Sequence, residues 1–449
     1  MTDSKTRRPD RPIRKLARPT QRPGGQRQNR RPRATQENLP ERFVENLTID
    51  RIVGGGLGIG FDDDGLTVFV PRTAPGDVIR GRVTRRQGKV LHAAIEEMLE
   101  PSPQRIEPKV ADYDASGGLD MQHLGYQDQL AAKGAVIEDS LRRIAKLEPV
   151  PEIEVVASEN EWNYRSRAEF QIDHSSGAVG YFAASSHRVV DVEESPVLTL
   201  DTQALLTTLR DDMQGGLVPK SAREYRAVTG DVGSVLEPTS ALKSRPVTRE
   251  VGGETFRYSA ECFFQSNIPV AESLLAEVVR IADDVQGTEG IGLDLYSGVG
   301  LFTLPLARRF RRVVAVESFK PAADFAEENA ANAGLRNVRV VNAPVEYWLA
   351  GDRTPLGRVA LALFDPPRSG AGKAAIANVI KLKPAHVIAV SCDPATFARD
   401  IRCLIDDGYE VVSIKGFDMF PQTHHVEIVG HLRRIDPSVV VEDLRVFPL

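Results

Sequence analysis

From residue 291 onward the chain settles into a regular alternation. Short, nearly continuous apolar runs, IGLDLY (291–296), RVVAVE (312–317), NVRVVN (337–342), VALALF (359–364) and HVIAVS (386–391), are separated by segments long enough for helices. Runs without polar alternation suit strands buried on both faces, so the pattern predicts a parallel sheet covered by helices on both sides. Ligands of such sheets sit beyond the carboxyl ends of the strands. The residues that close each run are therefore the first place to look for chemistry.

The upstream pattern differs. Residues 42–98 show short β-branched runs broken by Gly-rich or Asp-Gly turns, and Asp64-Gly65 between GIGFD and LTVFVP marks a hairpin. Several strands in so short a stretch predict a small barrel. Residues 127–146 place Leu130, Val136, Ile137, Leu141 and Ile144 on one helical face, which predicts a helix packed on the C-terminal α/β domain. Strands and loops return over 151–255. There Tyr164, Arg165 and Arg167 either meet bases and phosphates or form a solvated strand edge. The resulting division is a disordered tail (1–41), a small β-barrel (42–98), a central α+β domain (99–255) and an α/β domain (256–449).

Charge adds one feature to this picture. The formal net charge is −5, with 57 Lys/Arg and 62 Asp/Glu. Residues 1–35 hold twelve of the basic residues and only two of the acids, with five prolines. A segment so poor in apolar residues cannot repay its ordering entropy, and an Arg-rich arm attracts polyanions such as nucleic acid. A solubilising tail without a partner is the alternative. No run approaches the roughly 20 apolar residues of a membrane span, and no apolar stretch follows the basic N-terminus, so neither insertion nor secretion is expected. Three cysteines, Cys262, Cys392 and Cys403, fit a reducing cytoplasm better than a disulfide framework.

At the strand ends, Asp294 is followed by Gly298 and Gly300, a tight turn that lets a ligand approach the backbone. Glu317 closes the second run at the spacing of an acid that accepts from ribose hydroxyls. Without a third glycine, the pair favours S-adenosylmethionine over NAD. Asn342 is either a contact to an adenine edge or a turn residue. The fourth run ends in Asp365-Pro-Pro-Arg368, a stiff loop able to hold a carboxylate at the mouth of a cleft. Cys392 closes the fifth, before a helix whose N-terminus is expected to lower the thiol pKa; Cys403 reads as core. Downstream, Asp418, His424, His425 and Glu427 cluster around a turn. Adjacent histidines on a strand face opposite ways, which disfavours a metal site.

These motifs together resemble the family of S-adenosylmethionine-dependent RNA uracil-C5 methyltransferases. FFQSN (263–267), DLYSGVG, DPPRSG, SCDPATFARD and FDMFPQTHHVE occur in the family's order, and residues 42–98 look like its TRAM domain, an OB-like barrel. The resemblance implies a Rossmann-like class I methyltransferase fold. It assigns Gln265, Tyr296, Glu317 and Asp365 to the cofactor, Cys392 as nucleophile and Glu427 as base, with ribosomal or transfer RNA as substrate. Nothing in the sequence points to oligomerisation, so a monomer is expected. Asp393 stands where the family usually has Asn, and Ala389 replaces a frequent tyrosine. Many TRAM-bearing members hold a [4Fe–4S] cluster on four cysteines. Here Val110, Ser116, Leu119 and Ser195 occupy those positions, so no cluster is expected. Cytosine-C5 methylation, or a non-catalytic RNA-binding protein on the same scaffold, are the alternative readings.

Overall fold

The computed structural model describes residues 42–110, 118–183, 186–241, 244–285, 289–353 and 356–435. The basic tail expected at 1–41 lies outside them.

Six strands form the first sheet, in the order Phe43–Thr48, Val78–Gln87, Val90–Glu100, Thr67–Pro71, Leu57–Phe61 and Arg51–Val53. Leu57–Phe61 and Thr67–Pro71 pair antiparallel across the Asp64-Gly65 turn, with Gly65 at φ +73°. Val44, Leu47, Val68, Val70, Ile79 and Leu91 fill the interior. Gly60 makes that curvature possible: a Cβ there would lie 2.4 Å from the carbonyl oxygen of Thr48. Only glycine allows the two strands to approach so closely.

A second, antiparallel sheet runs Val189–Asp191, Ala178–Phe182, Arg167–Asp173, Glu224–Thr229, Ser234–Pro238. Its apolar face, with Phe170 and Ile172, meets Leu206 and Leu209 of the helix Leu200–Gln214. The Thr199 hydroxyl caps that helix by accepting from the amide of Thr202.

The third sheet has eight strands, ordered Val338–Asn342, Arg312–Glu317, Ile291–Leu295, Val359–Phe364, His386–Ser391, Glu427–Arg434, Tyr409–Phe417, Val155–Val156. The five apolar runs form its first five strands, all parallel. Glu427–Arg434 then inserts antiparallel beside His386–Ser391. Alternate residues of Val359–Phe364 enter different apolar clusters: Leu361 and Leu363 join one, Ala362 and Phe364 the other. The sheet is therefore covered on both faces, which explains why these runs lack polar alternation. Strand order reverses between Ile291–Leu295 and Val359–Phe364, and the cleft such a reversal opens at the carboxyl ends is the usual ligand position.

The central region also contributes to this sheet. Val155–Val156 pairs with Gly416 and Phe417. The helix expected at 127–146 runs Tyr126–Ser140 and continues as a π turn, Leu141–Ala145, stopped by Lys146 at φ +54°. Its buried Ile137 and Leu141 share a cluster with Ile401 and Leu404 of the helix Pro394–Asp406. Each such side chain contributes about 1.5–3 kcal/mol by leaving water. No helix among the described residues is long and apolar enough to cross a membrane.

Candidate active site

The strand Ile291–Leu295 delivers its turn into the cleft. Tyr296 takes a left-handed backbone (φ +64°), a conformation costly for a tyrosine and typical of residues held for function. Its hydroxyl donates to Glu346 Oε1 at 3.0 Å. Gly298 and Gly300 follow at φ +54° and +98°. A Cβ on Gly298 would meet nothing within 4 Å, so the backbone there faces open space. Glu317 accepts from the Gly298 amide at 3.0 Å and the Phe319 amide at 2.6 Å, and these fix its carboxylate beside the turn.

Among the described residues, Gln265 Oε1, Asp294 Oδ1 and Ser297 Oγ are buried side-chain atoms of this region without a hydrogen-bond partner. Unsatisfied buried oxygens are costly unless a ligand completes them. Asp294 is buried and its carboxyl is raised to about 7, mainly by burial, against a hydrogen bond from Thr303 that opposes the shift. The open Gly turn, the anchored acid and the orphaned oxygens suit a polar nucleoside cofactor.

The nucleophile candidate sits three strands away from Glu317's strand. The antiparallel pairing ends with Ser391 opposite Ile428, so Cys392 and Glu427, the next residues, lie at the same end of the sheet, and Glu427 acts electrostatically on the thiol. Glu427 is buried. Its carboxyl is raised to about 8 by burial and by the charge of Asp365, with Arg368 opposing. The Cys392 thiol, half-buried, is pushed up to about 12 by burial, Glu427 and Asp365, again against Arg368. This corrects the expectation that the following helix lowers it: desolvation and two carboxylates outweigh the helix end. Asp393 caps that helix, its Oδ1 accepting from Thr396 N at 2.8 Å. Asp365 is itself raised to about 7 by burial.

Cys392 opens onto a pocket of about 340 Å³ lined also by Arg368, Lys133, His424, His425 and the turn Gly54 to Gly56 of the barrel. Pattern reading missed two of these contributions. A Cβ on Gly56 would lie 2.8 Å from His424 Cβ, so the barrel's glycine turn abuts the segment around His424. Lys133, buried in the helix Tyr126–Ser140, donates to Asp418 Oδ1 at 2.5 Å and to the Phe420 carbonyl at 3.2 Å. A lysine on the buried face of a helix was the available signal. Around it Gln129 exchanges bonds with Gln422, Asp120 accepts from His424 N at 3.0 Å, and Tyr164 donates to the Pro421 carbonyl at 3.0 Å. The whole segment from Asp418 to His425, which leads to Glu427, is held from outside the catalytic sheet.

Tyr164 and Arg167 direct hydrogen bonds to the protein's own backbone. Tyr164 is buried, and Arg167 donates to the carbonyls of Cys262 and Ala260. Asn342 uses its amide to bind the carbonyls of Glu317 and Ser318, the turn reading of that residue. His425 Nε2 lies 3.1 Å from an Arg368 nitrogen, and burial pulls its pKa to about 3, so it accepts as a neutral ring. No cluster of three metal-ligating side chains occurs among the described residues. Val110, Leu119 and Ser195 line one cleft of about 1170 Å³ with Lys109, Phe263 and Phe420, and none of the three cysteines reaches it. Ser116 lies outside the described residues.

The geometry has counterparts among known proteins. The sequence profile described as tRNA (Uracil-5-)-methyltransferase matches residues 247–435. An uncharacterized RNA methyltransferase of Thermosynechococcus vestitus is 30% identical, over 86% of this chain and 97% of its own. A 23S rRNA (uracil(1939)-C(5))-methyltransferase of Pseudomonas putida is 30% identical, over 87% of this chain and 94% of its own. The crystal structure of Pyrococcus abyssi tRNA (uracil-54, C5)-methyltransferase with S-adenosyl-L-homocysteine superposes with a TM-score of 0.66, at 24% identity, covering 86% of this chain and 99% of that one. That likeness establishes the shared fold. Near-full-length identity at this level establishes the family: this chain belongs to the S-adenosylmethionine-dependent RNA uracil-C5 methyltransferases.

Proposed function

We propose that Cys392 and Glu427 carry methyl transfer to C5 of a uridine, with ribosomal RNA as the substrate. The observation that carries this reading is the strand pairing that brings a thiol and a buried carboxyl to the same end of the sheet. Gln265, Tyr296, Glu317 and Asp365 hold the cofactor: Gln265 supplies an orphaned oxygen, Glu317 a fixed carboxylate beside the Gly turn, and Tyr296 a ring at the turn. S-adenosylmethionine, when bound, would supply an electrophilic methyl group on a cationic sulfonium.

Cys392 adds as thiolate to C6 of the uracil, and the electrons of the C5–C6 double bond become nucleophilic at C5. After C5 is methylated, Glu427 removes its remaining proton. The released electron pair re-forms the double bond and expels the Cys392 thiolate. The target base must leave its stack to reach this pocket. Phe263, 63% exposed next to the cofactor motif, offers a ring face to a base. Ribosomal RNA is favoured because the Pseudomonas relative, matched over nearly its full length, is named for 23S rRNA. We further propose that the barrel is a TRAM-type RNA-binding domain, that the enzyme works as a cytoplasmic monomer, and that it carries no iron–sulfur cluster.

The test uses ribosomal RNA tritiated at uridine C5. Incubation with S-adenosylmethionine should release tritium in step with methyl incorporation, and absence of release from every cellular RNA fraction would sink the proposal.

The titration of Glu427 gives a second check. A base must be ionised, so the rate at which the methylated adduct breaks down should rise about tenfold per pH unit below 8 and bend near 8. Stability moves the other way. The folded carboxyl keeps its proton up to about 8, against an ordinary value of 4.5, so its stabilising contribution is complete below 4.5 and lost as pH rises through 8. Glu427→Gln should therefore raise the melting temperature at pH 8 and leave it unchanged at pH 4.

A further inference from the structure

At the end of the sheet remote from the cofactor turn, Arg311, Arg312, Arg336 and Arg339 line one surface depression of about 300 Å³ with Asn337 and Val338. It lies where the strands Arg312–Glu317 and Val338–Asn342 begin, a full strand length from Glu317. Arginines just upstream are paired: Arg308 with Glu254 and Arg309 with Asp283. None of the four in the depression has an acidic side chain within 4 Å among the described residues. Counter-charges are not scarce, since the chain holds more acids than bases.

Four guanidiniums around one concavity repel one another unless an anion lies between them. Protection of a sheet edge explains one of them: Arg339 sits on the edge strand Val338–Asn342, where charge discourages pairing with other chains. Arg311 and Arg336 precede their strands and Arg312 begins the inner one, so edge protection does not account for them. Asn337 holds the base of the depression, donating to the carbonyls of Ala307 and Phe310 at 2.7 and 2.9 Å.

We infer that this depression binds backbone phosphates of the substrate RNA at a point away from the target uridine, an inference that rests on RNA being the substrate. Guanidinium forks match phosphate oxygens and fix position without reading sequence. Strand rise and spacing put the site on the order of 20 Å from Cys392. Only an RNA long enough to pass the Val338–Asn342 edge engages both, which favours a large folded RNA over a minimal hairpin.

The test compares the full-length protein with two quadruple variants, one replacing all four arginines with Gln and one with Lys. Affinity for a long folded ribosomal RNA fragment and for a short hairpin carrying the target uridine is measured across a salt series. With Gln, the slope of log affinity against log salt for the long RNA should become shallower by about three, and affinity should fall at least roughly tenfold. Lys should keep the slope, the hairpin should bind both variants alike, and kcat at saturating RNA should not change. An unchanged slope on long RNA, or an equal loss on the hairpin, overturns the site while methylation stands. Arginine-dependent binding without methylation of any RNA would instead overturn the catalytic reading and leave the phosphate site.

Discussion

Cys392→Ala is expected to lower methyl transfer by at least about 10⁴-fold and to form no covalent adduct with RNA. No other cysteine can replace it: Cys262 is buried and Cys403 lies along the helix Pro394–Asp406, its thiol turned to the Arg399 carbonyl. Glu427→Gln should behave differently. Its thiol can still add to C6 and C5 can still be methylated, but the proton that must leave C5 has no base. Elimination should slow by about 10²–10⁴-fold, and a protein–RNA adduct stable to denaturing gel electrophoresis should accumulate. Turnover in the parent needs Glu427 ionised, and its carboxyl is raised to about 8, whereas adduct formation in the Gln variant needs no base at that position. Adduct formation in the Gln variant should accordingly persist to lower pH than turnover does in the parent. An adduct in the Cys392 variant would identify a different nucleophile, and a Gln variant that turns over normally would remove Glu427 from the mechanism.

Lys133→Met should destabilise the protein by about 3–5 kcal/mol, because it leaves the Asp418 carboxylate buried without its counter-charge. Burial pulls the Lys133 pKa down and Asp418 opposes the pull, so the pair exists only as a pair. Replacing both, Lys133→Met with Asp418→Leu, should recover most of the loss, as apolar substitutes for buried ion pairs often do. Denaturant midpoints read out both results. Turnover separates packing from positioning. If the pair holds the segment from Asp418 to His425 that leads to Glu427, the double variant will be stable yet show lowered kcat with adduct accumulating. A double variant that is both stable and fully active would reduce the pair to a packing element.

The five parallel strands and the residues at their ends were legible because burial on two faces forces apolar runs, and the helix segments between them fix their spacing. Motif order along the chain also joins Cys392 and Glu427 in one reading. Protonation was not legible. The helix end following Cys392 argued for an acidic thiol, whereas Glu427 and Asp365, distant in sequence, press it upward in space. Nor could local pattern decide Tyr164 and Arg167, whose aromatic and basic character fits RNA but whose hydrogen bonds go to Pro421, Ala260 and Cys262.

The class of fold, the chemistry available and the family resemblance can all be read along the chain, since periodicity and motif order are properties of neighbouring residues. Folding in three dimensions sets what surrounds that chemistry. It brought Gly56 of the barrel against His424, put Lys133 of the central helix on Asp418, and gathered four arginines at the far end of the sheet. Each of these depends on residues tens to hundreds of positions apart. Electrostatics and packing act through distance in space, which the order of residues along the chain does not record.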